Sequence, residues 1–285
     1  MDVKSFYEII KPKQTMLLMV TFVVAYLVAA RGISLYHFIQ AFAATVLTVA
    51  GTTALNMWLD SDIDALMPRT EKRPIPSGRL TPRGCAVYGS ILFLIGIAIG
   101  LNVGLDFVIV LSLGLFFDII VYTILLKRKS PYSIVLGGLA GAMPSLAGWV
   151  AVNGIGFPGV LPGIILSTIV LLWIPSHIWY LSIHYEEDYR RANIPMLPLV
   201  VGMEKASWAI VVSVALMLIL VALLFVILPL SFAYLILSLL VTAYFLYKAV
   251  KFAKSPDRMK ARKMYKLASM TLGIIYFSML VGSFF

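Results

Sequence analysis

Three oxygen-bearing side chains in an otherwise apolar stretch stand four residues apart: Asn56, Asp60 and Asp64. At 3.6 residues per turn this spacing drifts by about 40° per step, so on a helix the three share one face while Asp62 points elsewhere. Like charges one turn apart weaken a helix, and acids near its C-terminal end also sit on the wrong end of the macrodipole. A hard divalent cation offsets both costs, and carboxylate and amide oxygens are the donors that magnesium takes. The competing explanation is simple capping of a helix end in water. A second acidic stretch, Glu186, Glu187 and Asp188, follows another apolar run. With Asp62 and Glu71, these two stretches hold seven of the chain's 13 acids, so the clustering has meaning.

Cations follow each cluster: Arg69, Lys72 and Arg73 after the first, Arg190 and Arg191 after the second. Carboxylates that hold magnesium beside arginine and lysine make a site for a diphosphate, with the metal bridging some oxygens and the side chains taking the remaining charge. The chain has no Walker-type glycine loop, no HExxH and no Cys/His metal cluster, which leaves P-loop and zinc chemistry without residues to carry them. The single cysteine, Cys85, excludes an internal disulfide and reads as structural.

The elements that must position these groups are apolar. Of 285 residues 61% are hydrophobic and 13% charged, with mean hydropathy +0.97. Soluble domains run at about 45–50% apolar and about 25% charged. Windows of about 20 apolar residues, the length of a spanning helix, fall near 15–31, 36–57, 84–104, 106–126, 132–152, 160–184, 206–228, 231–250 and 264–284. Backbone in lipid must satisfy its own hydrogen bonds, and the runs are too long and uniform for a membrane barrel, so the expected fold is an all-α polytopic bundle of nine transmembrane helices. Residues 1–285 are expected to form one membrane domain, and the first residues carry no signal-peptide pattern.

The net charge of +10 is not a nucleic-acid signal once its carriers are placed. With nine spans, 22 of the 23 lysines and arginines fall on one side, leaving only Arg31 opposite. The positive-inside rule then puts the N-terminus and both acidic loops in the cytoplasm. The run from Lys248 to Lys266 reads as a basic loop touching anionic headgroups of the bilayer. Acids at one rim rather than at mid-membrane fit poorly with a transporter.

At this point the residues resemble a known family. The stretch NMWLDSDIDALMPRTEKRP matches the N-x-x-x-D-x-x-x-D signature of the UbiA superfamily of intramembrane prenyltransferases. Its continuation M-x-R-T-x-x-R-P, with YTILLKRKSPYS at 122–133, GGLAGAMPSLAGW at 137–149 and DYRRANIPMLPLVVG at 188–202, is similar to the superfamily's heme O synthase branch. One departure stands out. The branch usually reads Trp-Gln-x-Pro-His where this chain has Trp173, Ile174, Pro175, Ser176 and His177.

The resemblance implies a prenyl transfer from farnesyl diphosphate to a vinyl carbon of heme b, with water completing a hydroxyethylfarnesyl side chain and Mg²⁺ assisting departure of the diphosphate. It assigns Asp60, Asp64 and Asp188 as metal ligands, with Asn56 as a further oxygen donor and Glu187 as the weaker neighbour. Arg69, Lys72, Arg73 and Arg191 are expected on the diphosphate or a heme propionate, and Tyr122 and Lys127 beside the leaving group. Trp173 and His177 are expected on the acceptor side. Prenyl length stays open between farnesyl and geranylgeranyl. Other UbiA acceptors, a quinone precursor or a glycerol-phosphate lipid, are the competing substrates, and a pairing with heme A synthase is left open.

Overall fold

The computed structural model describes residues 3–30, 32 and 34–284; Arg31, the one basic residue expected on the opposite side, lies outside them. Helices dominate: α1 Val3–Ile9, α2 Pro12–Ala29, α3 Leu35–Leu59, α4 Ser61–Asp64, α5 Pro82–Gly100, α6 Leu105–Leu115, α7 Ser133–Asn153, α8 Leu161–His184, α9 Glu186–Arg191, α10 Leu197–Val201, α11 Met203–Ile227, α12 Phe232–Lys254 and α13 Arg258–Gly282. Between α6 and α7, residues Phe116–Leu126 continue α6 as a π-helix. Nine of these segments are long and apolar enough to cross a membrane, with α6 and its π-helical extension counted as one.

Packing orders the bundle as α2 against α7, α7 against α8, α8 against α11 and α13, and α12 against both α11 and α13, with α3 paired to α5. Small residues permit the last of these close approaches. A Cβ on Gly51 would stand 2.6 Å from the Gly89 carbonyl oxygen, so only glycine lets the two backbones meet there. Polar bonds inside the bundle run between helices. The Tyr276 hydroxyl meets Ser145 Oγ at 2.8 Å and the Leu166 carbonyl at 3.2 Å, joining α13 to α7 and α8. Large apolar side chains such as Ile219, Val226, Leu240 and Phe277 point outward, the arrangement lipid permits and water does not.

One span begins earlier than its hydropathy. The apolar window predicts a start near residue 264, whereas α13 starts at Arg258 and α12 runs on to Lys254. Most of the basic run is therefore helical, and only residues 255–257 connect the two helices. Asp257 makes this workable as N-cap. It accepts the Met259 amide at 2.8 Å and pairs with Lys260 at 3.1 Å, and these contacts hold its carboxyl below the usual carboxylate range.

Candidate active site

Asp60 sits at the C-cap of α3, with φ −91° and ψ 0°, and the chain turns there into the short α4. The turn does not break the register. The Asp60 amide donates to the Asn56 carbonyl at 3.0 Å and the Asp64 amide to the Asp60 carbonyl at 2.8 Å, so the three oxygen-bearing residues remain one turn apart as their spacing predicts. All three are buried, the two aspartates at 2% exposure. Two unpaired carboxylates could not stay charged there, and each has a cation from another element. Lys127 Nζ lies 2.5 Å from Asp60 Oδ2, and Arg73 Nη1 lies 2.6 Å from Asp64 Oδ2. Among the described residues Asp60 Oδ1 is buried with no hydrogen-bond partner, leaving one oxygen of the pair available.

The π-helix explains how Lys127 arrives. In an α-helix residues five apart point about 140° away from each other. Here the Lys127 amide donates to the Tyr122 carbonyl, five residues back, and the Thr123 hydroxyl donates to the Asp118 carbonyl, also five back. Tyr122 and Lys127 thereby share a face, the ammonium 5.3 Å from the ring centroid. Next to Tyr122, the Thr123 hydroxyl accepts from Asn56 Nδ2 at 2.9 Å. Gly137 of α7 makes room, since a Cβ there would stand 2.5 Å from the Tyr122 ring.

The second acidic stretch differs from its expected form. It is not the C-terminal end of a long helix: α8 stops at His184, and Glu186, Glu187 and Asp188 open the separate helix α9, with Arg190 and Arg191 in its last turn. The charges therefore complement the dipole of α9. Asp188 faces the first loop, 3.9 Å from Arg69 Nε, and the Arg69 guanidinium also covers the Tyr185 ring at 5.3 Å. Glu187, assigned as the weaker neighbour of the metal ligands, pairs with Arg258 of α13 at 3.2 Å, its side chain 64% exposed. Glu186 pairs with Arg190. Lys72 and Arg191 are exposed, and neither side chain meets a partner among the described residues.

Trp173 and His177 lie deeper, where α8 packs on α13. The indole nitrogen donates to the Ala268 carbonyl at 2.8 Å. The imidazole lies between Trp173 and Tyr265, with ring centroids at 4.3 and 4.6 Å, and its Nδ1 is 3.3 Å from Ser269 Oγ. This pair is separate from the carboxylates and belongs to the bundle interior.

Three participants escape sequence reasoning. Arg128, counted in the sequence only as one more basic residue of the positive side, binds Asp62 through two nitrogens at 2.6 and 2.7 Å, and that contact lowers the Asp62 carboxyl below its usual range. Asp118, on the π-helix, lies within electrostatic reach of Lys11, Asp60 and Lys127. Lys11 itself places Nζ 3.4 Å from Asn56 Oδ1, and burial pushes its ammonium down to about 8, with Arg73 adding to the shift and Asp60 and Asp64 opposing it. Lys11 counts in the sequence only as one more basic residue of the positive side. Among the described residues no three His, Cys, Asp or Glu side chains close on one point as a ready-made metal cage. The site is a mouth of paired acids and cations, drawn from the N-terminal segment, the ends of α3, the π-helix and α8, and the loop after α4, all at one end of the bundle.

A comparison with known proteins follows the same lines. The model of the UbiA prenyltransferase family matches residues 17–273. A protoheme IX farnesyltransferase from Archaeoglobus fulgidus is 64% identical over 281 residues, which is 99% of this chain and 98% of that protein. One from Korarchaeum cryptofilum is 46% identical over 96% of this chain and 92% of that protein. Among solved structures, a digeranylgeranylglyceryl phosphate synthase superimposes with TM-score 0.83 at 22% identity, covering 99% of this chain and 98% of that one. A UbiA homolog from Archaeoglobus fulgidus bound to GPP and Mg²⁺ superimposes with TM-score 0.71 at 15% identity, over 96% and 99%. Sequence and fold converge: the chain belongs to the UbiA prenyltransferase family, in the branch of its protoheme IX farnesyltransferase relatives.

Proposed function

We propose that this prenyltransferase moves a farnesyl group from farnesyl diphosphate onto a vinyl group of heme b, giving heme O. The observation that carries the reading is the mouth of buried acids and cations at one end of an apolar bundle. Lys127 and Arg73 stand on Asp60 and Asp64, and Asp60 Oδ1 has no partner among the described residues. Such a mouth suits a ligand with a polyanionic head and an apolar tail. The choice of heme b as acceptor rests on relatives of 64% and 46% identity that carry that activity in their names.

The donor set fits magnesium. Hard carboxylate and amide oxygens are present, and one buried carboxylate oxygen is unsatisfied. Asn56, Asp60, Asp64 and Asp188 would hold the ion, which when bound would supply positive charge to stabilise the departing diphosphate.

The chain's residues do the rest. Lys127, Arg69 and Arg73 take the diphosphate charge as the C1–O bond of the donor breaks, and Tyr122 walls the site beneath Lys127. The vinyl π electrons form the new bond to C1, so no strong base is required for that step. Water then adds its oxygen to the resulting cationic carbon and loses a proton. The apolar bundle keeps other water away from the allylic cation until bonding. Trp173 and His177 would contact the heme.

The positive-inside rule assigns the mouth to the cytoplasmic side of the cell membrane. One assay tests the whole reading. Membranes holding the protein, supplied with heme b, Mg²⁺ and either farnesyl or geranylgeranyl diphosphate, should yield a heme heavier by one hydrated farnesyl group with the first donor. A product on a quinone precursor and none on heme would overturn it.

A further inference from the structure

Lys11 stands where topology sorting has no use for it. The residue forms the elbow between α1 and α2, with φ +44° and ψ 67°, a left-handed conformation that crowds the Cβ of any residue but glycine. Positions of this kind persist only where their surroundings hold them, and they concentrate at functional sites. The surroundings are specific. The Lys11 amide donates to the Glu8 carbonyl at 3.1 Å, and the Thr15 hydroxyl donates to the Ile10 carbonyl at 2.7 Å. Ile9 is fully buried in a small apolar cluster with Ala54, Met57 and Cys85, which fastens α1 to α3 and α5. The Glu8 carboxylate pairs with Arg79 at 2.6 Å, tying the same helix to the loop that follows the acids.

The elbow turns the lysine inward. A lysine that only marks the cytoplasmic side would keep its ammonium in water, as an exposed Lys13 can. Lys11 instead reaches Asn56, whose amide is fixed from behind by its bond to Thr123. Around that point Lys11, Arg73 and Lys127 supply three positive charges, and Asp60, Asp64 and Asp118 lie within electrostatic reach of Lys11. Two of the cations, Arg73 and Lys127, hold ion pairs with Asp64 and Asp60 as well as facing the site. The third, Lys11, has among the described residues a long contact of 3.4 Å to a neutral amide and no carboxylate within ion-pair distance. A half-buried ammonium without an ion pair is a binding group for an anion that comes from outside.

We propose that Lys11 is a diphosphate-binding residue, carried into the site by the N-terminal elbow and facing Arg73 and Lys127 across Asn56. The inference rests on the diphosphate reading given above and adds to it a wall made by α1 and the start of α2. It makes α1 part of the site, with the Glu8–Arg79 pair as the strut that fixes it.

Inorganic pyrophosphate with Mg²⁺ is a probe that needs neither prenyl donor nor heme. Titrated into the purified full-length protein, it should bind the wild type and bind Lys11→Gln about 10- to 100-fold more weakly, the range of a charge-assisted hydrogen bond. Lys11→Arg should recover most of the affinity, and Lys13→Gln should bind as the wild type does. Thermal unfolding midpoints check that the variants are folded, and Lys11→Met replaces Lys11→Gln should the latter fail that check. Equal affinity in wild type and the neutral variant would overturn the proposal. Absence of pyrophosphate binding in the wild type would overturn the diphosphate reading and Lys11 with it. Pyrophosphate binding without prenylation of heme would overturn the acceptor alone and leave Lys11 in place.

Discussion

Lys127 Nζ and Asp60 Oδ2 meet at 2.5 Å although 67 residues separate them, and they meet because the helix carrying Lys127 ends in eleven residues of π-helix. The pair is buried, the two side chains 12% and 3% exposed. Removing one partner of such a pair strands the other and costs about 3–5 kcal/mol, whereas replacing both is far milder. Lys127→Met should therefore lower the unfolding midpoint, and Lys127→Met combined with Asp60→Asn should restore most of it. Turnover should fall by about 100-fold or more in both, the scale of losing one group that bears transition-state charge. A double variant that regained activity along with stability would show the pair to be structural.

Metal dependence is the second expectation. Activity should disappear in EDTA and return with Mg²⁺. Asp60→Ala, Asp64→Ala and Asp188→Ala should each nearly abolish turnover, while Glu187→Ala, which removes a contact to Arg258 outside the mouth, should leave most of it. Full activity of the Asp188 variant would confine the metal to the first acidic stretch.

Sidedness can be read with cysteines, because the native Cys85 is buried against the Ala54 carbonyl and gives little background. Single cysteines near Arg79, Lys129, Arg190 and Asp257 should label from the cytoplasm, and one at Gly156 from outside. A tag at Phe285, which lies outside the described residues, should also report the outside. A split among the first four would contradict a mouth gathered at one membrane face.

His177 separates acceptor from donor. It lies on α8 seven residues before the helix ends, about 10 Å along the axis at 1.5 Å per residue. His177→Ala should weaken heme binding, followed by the heme absorption spectrum, and leave prenyl diphosphate affinity unchanged. Equal loss of both, with a lowered unfolding midpoint, would make the stack with Trp173 and Tyr265 a packing device.

Much of the site is legible because it rests on local periodicity. Asn56, Asp60 and Asp64 are four apart in sequence and one turn apart in space, and hydropathy finds the nine spans because lipid demands unbroken apolar runs. Where charges ride on a helix end, that signal fails. The first turns of α13 are basic yet helical, since an N-cap at Asp257 and tolerance for charge at the membrane surface override the low hydropathy. The helix that Glu186, Glu187 and Asp188 open is not legible either, because a break after His184 that starts a new helix has no distinctive spacing.

By itself, then, the sequence determined the solvent, the number of crossings, the end of the bundle where acids and cations collect, and the family. The first three follow from composition and from patterns within a few residues, and the family from the resemblance of its motifs. Only the tertiary structure decided which charge meets which: Arg128 with Asp62, Glu187 with Arg258, Lys11 with Asn56. Those choices depend on how distant segments face each other, on a left-handed residue at 11 and on i to i−5 hydrogen bonding between 116 and 126. A long apolar run specifies a helix in lipid without specifying its pitch, and one extra residue per turn is enough to change the face that Lys127 presents.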